Sequence, residues 1–523
     1  MKNVFFNSEV LDAESKIISS LKIPSVILME NAGKNFTKIL LNRISEKDSS
    51  INNERNFIVL TGKGNNAGDG FVIARHLCNQ DFNVTLVMLF EEKELQSDAA
   101  VNFSVLKNSK TISENLKIYR FKNISDLKKK ISFGNSIIID AIFGVGFRGA
   151  PDKKMTHLFK FLNQIKSKTL FSVDVPSGLS HYNQDTELFK ADVTISMGVR
   201  KFHTLFYKGR ENSGEIETAD IGISENEFTN FNIKKTKITE EKDVRSFIPE
   251  RKKNSNKYTN GKVLVIAGSK GLTGAVYLSS VSAMKTGSGA VIAAVPESVN
   301  DILEIKMTEV MTLPVSETSD SALSLNSYDK IKTKIKWADT ILIGPGLSKN
   351  EETMELVRYI VKNNKSRFVI DADAIYAFRG NMNLLKDREI IITPHFGEFS
   401  SLTGIDLDEL KNNFYEISKE FAVKYKVCLV LKNSPTIITD GNEFIINPTG
   451  RENLATAGSG DVLSGIISAL FSQTGNAMGS AVSGTYLHGK CGDILFQKYG
   501  SSSTLASDII NEIPFVKNQI SSA

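Results

Sequence analysis

Residues 453–467 read NLATAGSGDVLSGII. A run of small residues, Ala455-Thr456-Ala457-Gly458-Ser459-Gly460, ends in Asp461 and passes straight into an apolar helical pattern. Backbone N–H groups at a Gly-rich turn and a helix N-terminus form a nest for an anion. Glycines let that backbone approach a phosphate without Cβ obstruction. An acid in the first turn would lie beside the phosphoryl group, where a carboxylate takes a proton from a hydroxyl. The bland alternative is a tight turn capping a buried helix. The unbroken order of glycines, acid and helix favours phosphate chemistry.

Working outward, the 523-residue chain has room for two or three domains at roughly 100–200 residues each. It is 41% hydrophobic and 24% charged, an ordinary globular composition. A net charge of +5 over this length is too slight to argue for nucleic acid. Cys78, Cys428 and Cys491 lie far apart without metal-ligand or CxxC spacing, which points to free thiols in a reducing compartment. The only early apolar run, Val4-Phe5-Phe6, is too short for a signal-peptide core, and no run approaches the roughly 18 apolar residues of a membrane helix. A soluble, cytoplasmic protein is expected.

Short β-branched runs alternate with helix-length segments throughout. Phe57–Leu60, Val84–Met88, Ser136–Ile139, Leu170–Val173 and Val193–Ser196 read as buried parallel strands, with helices over Phe71–Asn79 and Ser97–Leu106. Residues 224–245 are polar, mixed in charge and aperiodic, and mark a boundary. A second series follows: Val263–Ile266, Ala290–Ala293, Thr340–Ile343, Phe368–Ile370, Ile390–Ile392 and Cys428–Leu431. The expected fold is α/β throughout: a three-layer domain over 1–225, a linker over 226–245 and a second α/β domain over 246–523. In such sheets the site lies beyond the carboxyl ends of the strands.

In the first half, the strand at 57–60 runs into Thr61-Gly62-Lys63-Gly64-Asn65-Asn66-Ala67-Gly68-Asp69-Gly70. This loop suits a phosphate or diphosphate but lacks the Gly-Lys-Ser/Thr ending of a Walker A loop. Asp140, ahead of Gly144-Val145-Gly146, and Asp174, ahead of Pro176-Ser177-Gly178, stand at two further strand ends. Two acids and a Gly-rich loop at neighbouring strand ends point to one shared cleft.

Over about residues 8–222 these motifs resemble the epimerase domain of NAD(P)H-hydrate repair enzymes, a Rossmann-like fold. The resemblance implies that Asn65, Asn66, Ala67, Gly68 and Asp69, with Gly144, Val145, Gly146, Phe147, Arg148, Gly149 and Ala150, hold the substrate's phosphates and ribose. It implies that Asp174 binds substrate and serves as acid/base, and that Asn66, Asp140 and Ser177 ligate potassium. Family members usually carry Gly-Gly where this chain has Ala67-Gly68. A positive φ at position 67 would cost Ala about 1 kcal/mol.

In the second half, Thr273-Gly274-Ala275, Gly344-Pro345-Gly346, Asp371-Ala372-Asp373, Thr393-Pro394-His395-Phe396-Gly397-Glu398 and Gly458–Asp461 stand at predicted strand ends or helix starts. Lys432 ends another strand, placed for a nucleotide phosphate. His395 is fixed between Pro394 and Gly397; the other five histidines read as structural. In this order the motifs resemble the nucleotide-dependent NAD(P)H-hydrate dehydratases, a ribokinase-like fold, over about residues 246–520. The resemblance implies that Lys432, Asn433, Ser434, Pro435, Thr436 and Gly460 bind ADP or ATP, with Mg²⁺, and that Ala275, Gly346, His395 and Asp461 contact the hydrate. Departures are Ser348, where Gly is common, and Asn433-Ser434, where Gly-Ala usually follows the lysine.

Together the resemblances imply metabolite repair on small molecules, the hydrates NADHX and NADPHX with ADP or ATP. The first domain would interconvert R and S epimers. In the second, Asp461 would deprotonate the S hydrate's hydroxyl for attack on the nucleotide's terminal phosphate, making phosphate the leaving group. A homo-oligomer, tetramer or larger, is implied too; no nucleic-acid or membrane partner is. The competing expectation is a ribokinase-like small-molecule kinase with a non-catalytic N-terminal binding domain.

Overall fold

A computed structural model describes residues 1–47, 56–109, 112–134, 136–165, 169–181, 185–251 and 253–522. The chain divides into two compact units, Asn3–Lys234 and Lys235–Ala523, the latter taking in Met1–Lys2.

The first unit is built on a seven-stranded sheet whose order is Leu116–Arg120, Asn83–Met88, Asn56–Thr61, Ser136–Ala141, Thr169–Val173, Val193–Met197 and Glu215–Ala219. Every pairing is parallel. The five central strands are those expected from the β-branched runs, because a strand covered on both faces reads as a continuous apolar stretch. The two edge strands, LKIYR and EIETA, are half exposed and carry no such run. Strand order reverses between Asn56–Thr61 and Ser136–Ala141, so a crevice opens at their carboxyl ends.

One local expectation is corrected here. The Gly-rich segment after the first central strand is helical from Asn65, six residues before the predicted start at Phe71. Its glycines serve packing rather than loop geometry: a Cβ at Gly68 would lie 2.4 Å from Met29 Sδ and 3.2 Å from Ala99 Cα. Ala67 lies within this helix, outside the positive-φ residues, so its feared backbone cost does not arise.

The second unit carries parallel strands in the order Met311–Val315, Ala290–Pro296, Lys262–Ile266, Thr340–Ile343, Arg367–Ile370, Ile390–Ile392 and Cys428–Leu431. An antiparallel hairpin, Thr436–Thr439 and Phe444–Asn447, extends the sheet, and Thr236–Ile238 pairs parallel beside it. The order reverses between Lys262–Ile266 and Thr340–Ile343. Helix Ser459–Thr474 packs against helix Thr273–Thr286, and a Cβ at Gly465 would lie 2.2 Å from Ser279 O. That close crossing pins the helix whose first turn is the Gly-Ser-Gly-Asp loop.

The polar segment 224–245 is ordered by tertiary contact. It contains helix Glu225–Thr229, strand Thr236–Ile238 and the start of helix Glu241–Phe247. The three cysteines are buried and unpaired. Among the described residues no helix is long and apolar enough to cross a membrane.

Two candidate active sites

In the second unit the functional side chains converge from three strand ends and one helix start. Lys432, directly after strand Cys428–Leu431, sends Nζ to Asp371 Oδ1 at 2.9 Å and lies 3.6 Å from Glu398 Oε2. Asp371 follows strand Arg367–Ile370 and is 1% exposed; its Oδ1 also accepts from Thr393 Oγ1 at 2.8 Å, while Oδ2 is buried without a hydrogen-bond partner. Burial disfavours the Lys432 ammonium. The carboxylates of Asp371, Glu398 and Asp461 outweigh it and hold the lysine above its ordinary value.

Asp461 occupies the first turn of helix Ser459–Thr474, where Gly458 enters at φ +86°. Ser459 N donates to Thr456 O at 3.3 Å and Val462 N to Gly458 O at 3.1 Å, while the amides of Gly460 and Asp461, at a helix N-terminus, lack an i−4 intrahelical acceptor and suit an anion. A Cβ at Gly460 would lie 3.4 Å from Lys432 Nζ, so lysine and loop face one another. Burial, then the charge of Asp371, pushes the Asp461 carboxyl up to about 7 against the pull of Lys432; Asp373 and Glu398 add to the rise.

A cavity of about 700 Å³ opens here, lined by Lys432, Asn433, Ser434, Pro435, Thr436 and Gly460, the whole expected nucleotide set, and by His395. The other expected hydrate contacts lie outside its wall. Gly346 and Ala275 adjoin each other, a Cβ at Gly346 lying 3.1 Å from that of Ala275. Their loop reaches the acids through Ser348 N, which donates to Asp373 Oδ2 at 3.0 Å.

His395 caps helix Phe396–Thr403. Its Nδ1 accepts from Glu398 N at 3.2 Å, and its own N–H donates to Glu398 Oε2 at 2.8 Å. His488, expected to be merely structural, lines the same cavity, with Nε2 3.1 Å from Ser459 Oγ. Burial lowers its pKa to about 4, so it is neutral at pH 7. Elsewhere the structural expectation suits His76, which contacts Glu30 Oε1 at 2.8 Å, and His203, 3.1 Å from Asn7 Oδ1.

In the first unit a cavity of about 410 Å³ lies at the sheet reversal. Of the residues the resemblance implies, Asn65, Asn66, Asp69, Gly144, Val145, Gly146, Phe147 and Asp174 line it. Ala67 and Gly68 are instead buried in the helix beneath. Arg148, Gly149 and Ala150 lie off the wall; Arg148 Nη1 folds back onto Val145 O at 2.8 Å and Phe147 O at 3.0 Å.

Asp174 takes φ +70° and forms an ion pair with Lys201, which is 1% exposed and also donates to Met197 O at 2.5 Å. Lys201 carried no motif in the sequence. Neither did Glu14, from helix Asn7–Leu21, which lines the same cavity. Burial pushes Glu14 up to about 7, with Lys201 opposing and Asp174 adding. Burial, then Asp174 and Glu14, raise Asp69 well above the ordinary carboxylate range, with Lys201 opposing.

Asp140 is wholly buried and accepts from Ser177 N at 2.8 Å, Ser172 Oγ at 3.1 Å and Ile142 N at 3.2 Å, as well as from Ser177 Oγ. Burial pushes it up to about 6 against those bonds. Ser177 Oγ also accepts from Phe143 N at 2.9 Å, and a Cβ at the next residue, Gly144, would lie 3.3 Å from Asn66 Oδ1. Carboxylate, hydroxyl and amide oxygens thus gather at one turn without a cationic side chain on Asp140, a donor set suited to a hard cation.

The folds and sites define a two-site α/β enzyme: a Rossmann-like unit with an acid-lined crevice, and a ribokinase-like unit with a Gly-rich helix start, a lysine and clustered carboxyl groups. Residues 263–515 match the family model described as NAD(P)H-hydrate dehydratase, and residues 25–202 the YjeF-related protein N-terminus. The bifunctional NAD(P)H-hydrate repair enzyme Nnr of Moorella thermoacetica is 33% identical over 95% of this chain and 93% of its own length. Its namesake from Methanocaldococcus jannaschii is 31% identical over 95% of this chain and 90% of its own. A solved ribokinase-like superfamily protein from Enterococcus faecalis aligns with 55% of this chain and 97% of its own, at TM-score 0.50 and 23% identity. The chain belongs to the bifunctional NAD(P)H-hydrate repair enzymes. The competing reading, a small-molecule kinase with an inert first domain, finds no support in relatives that match along the full chain.

Proposed function

We propose that the unit Asn3–Lys234 epimerises R and S NAD(P)H hydrates and that the unit carrying Lys235–Ala523 dehydrates the S form at the expense of ADP or ATP. One observation carries the second assignment: Asp461, with a carboxyl pKa near 7, stands at the anion loop facing Lys432 beside a 700 Å³ cavity. A base poised near the operating pH is what proton abstraction needs. Asp461 takes the proton of the C6 hydroxyl, whose oxygen attacks the terminal phosphoryl group. First-turn amides and Lys432 hold the phosphate oxygens where charge develops. AMP or ADP leaves as the phosphoryl group transfers, the ring nitrogen's lone pair expels phosphate from C6 to give an iminium, and loss of a proton from C5 restores the dihydropyridine. His395 and the Ala275–Gly346 wall position the hydrate.

Magnesium fits as a nucleotide-borne ion, because Asp371 offers a buried, unpartnered oxygen and Mg²⁺ is commonly held by one or two carboxylates plus phosphates. When bound it neutralises phosphate charge. In the first unit Asn66, Asp140 and Ser177 would hold potassium, and Asp174 handles a substrate proton. We place the protein in the cytoplasm, where its buried free thiols are at home, and as a homo-oligomer, which light scattering tests.

The deciding experiment is recovery of absorbance at 340 nm from mixed NADH hydrates with Mg²⁺ and either nucleotide. Full recovery is expected, with Asp461→Asn abolishing it and Asp174→Asn limiting it to the S form. No recovery with either nucleotide would sink the assignment.

A further inference from the structure

The first unit's cavity holds more proton-bearing groups than the expected site contained. Asp174 is the anionic half of an ion pair with a lysine that has no other outlet, since Lys201 is 1% exposed and its remaining contact is Met197 O. Met197 N donates to the same Asp174 Oδ1 at 3.1 Å. Glu14 and Asp69 line the cavity around this pair. A fourth wall residue, Asn66, is 7% exposed, and its Nδ2 is buried without a hydrogen-bond partner. A buried amide left unsatisfied costs about 1–3 kcal/mol, so the cavity is shaped for something that accepts from it.

We propose, resting on the epimerase reading, that Glu14 is the proton donor of epimerisation and that Lys201 is a positioning residue that keeps Asp174 as the base. Glu14 lies ahead of residues 25–202, outside the stretch the family model matches. Two carboxyl groups at one cavity with opposite protonation states are an acid/base pair. Around Glu14 the charged groups are Lys201, Asp174 and Asp69, with Lys63 at the cavity wall paired to Glu94 at 3.7 Å. The burial of Glu14 favours its neutral form near pH 7 against the pull of Lys201, and Asp174 adds to the rise.

The chemistry balances without any co-reactant. The C6 hydroxyl shares its carbon with ring nitrogen N1, so the hydrate is a carbinolamine. Asp174 removes the hydroxyl proton and C6–O becomes C=O. The C6–N1 bond breaks, its electron pair goes to N1, and Glu14 supplies the proton that N1 takes up. Rotation about C5–C6 turns the other face of the aldehyde towards N1. Re-addition returns the N1 proton to Glu14, and Asp174 reprotonates the oxygen, giving the opposite epimer.

The test uses the full-length protein and the R hydrate of NADH, without nucleotide, following R-to-S conversion by chromatography. Glu14→Gln is expected to lower kcat at least about 100-fold, the usual scale for a general acid, with KM within about twofold. The wild-type decline in rate above about pH 7 should be absent from its residual activity. Glu14→Asp should restore part of kcat. Dehydration of the S hydrate in the same preparations reports the quantity of folded protein. A Glu14→Gln enzyme with the wild-type rate and alkaline decline would overturn the proposal. So would a loss confined to KM that Glu14→Asp does not relieve, since that marks a structural role. If wild-type protein converts no R hydrate at all, the epimerase reading itself fails instead.

Discussion

Each half of the molecule sets a lysine against a buried aspartate at the carboxyl end of a strand, but the two lysines are spent differently. Lys201 is sealed at 1% exposure, its ammonium divided between Asp174 and a backbone carbonyl. Lys432 is 19% exposed and shares Asp371 and Glu398 with an open cavity and the anion loop. A lysine with no solvent-facing side cannot meet a ligand, so its effect is exerted through the carboxylate it holds. One that faces a cavity can exchange a carboxylate for a phosphate. On the proposed reading, the same pair of residue types makes a positioning device in one unit and a binding group in the other.

Removing each lysine should break the symmetry most sharply. Lys201→Met strands Asp174 as a buried charge and should cost about 3–5 kcal/mol, read as a lower melting temperature together with loss of epimerisation. Lys432→Met should cost less, about 1.5–3 kcal/mol for charged hydrogen bonds, because Lys432 is partly exposed and Asp371 keeps its bond from Thr393 Oγ1. It should also raise the nucleotide KM. Equal destabilisation with unchanged nucleotide KM would erase the distinction.

The next effect is on pH. In the proposed mechanism Asp461 is the base, with a carboxyl pKa near 7. Dehydration of the S hydrate should therefore fall about tenfold per unit as pH drops well below 7, and the limb should vanish from any residual activity of Asp461→Asn. A flat acid limb in the wild-type protein would remove Asp461 from the role.

The smallest effects concern two departures from the family pattern. Ser348 sits at φ +65°, where L side chains cost roughly 1 kcal/mol. Ser348→Gly should raise stability by about that amount less glycine's greater unfolded-state entropy, a net shift of a few tenths of a kcal/mol. Ala67 is helical, so Ala67→Gly should lower stability by about 0.5–1 kcal/mol. Thermal melts of the pair should move in opposite directions.

Much of this was legible in the residues. The central strands showed as β-branched runs because both faces are covered, and the Gly-Ser-Gly-Asp loop because its chemistry is contiguous. Edge strands such as Leu116–Arg120 were hidden by exposed charged positions. Helix Asn65–Cys78 was read too short because intrinsic propensity penalises Gly68 and Gly70, while tertiary packing makes their lack of a side chain necessary. Glu14, Lys201 and His488 had no local pattern: each is a single side chain whose partner stands far away in sequence, and only burial gives it a role. His395 stands out in the sequence through its flanking Pro394 and Gly397, and its Nδ1 is occupied by a helix cap.

The two carboxyl groups near pH 7 have a consequence for traffic through the chain. Glu14 would work in its protonated form and Asp461 in its ionised form, each with a midpoint near neutrality. Acidification then favours interconversion over consumption, and the R and S pools stay equilibrated while both accumulate. Alkaline conditions drain S faster than it is refilled and leave R behind. Chromatography of the residual hydrates during turnover at pH 6 and pH 8 should show that reversal, with throughput greatest where the two curves cross.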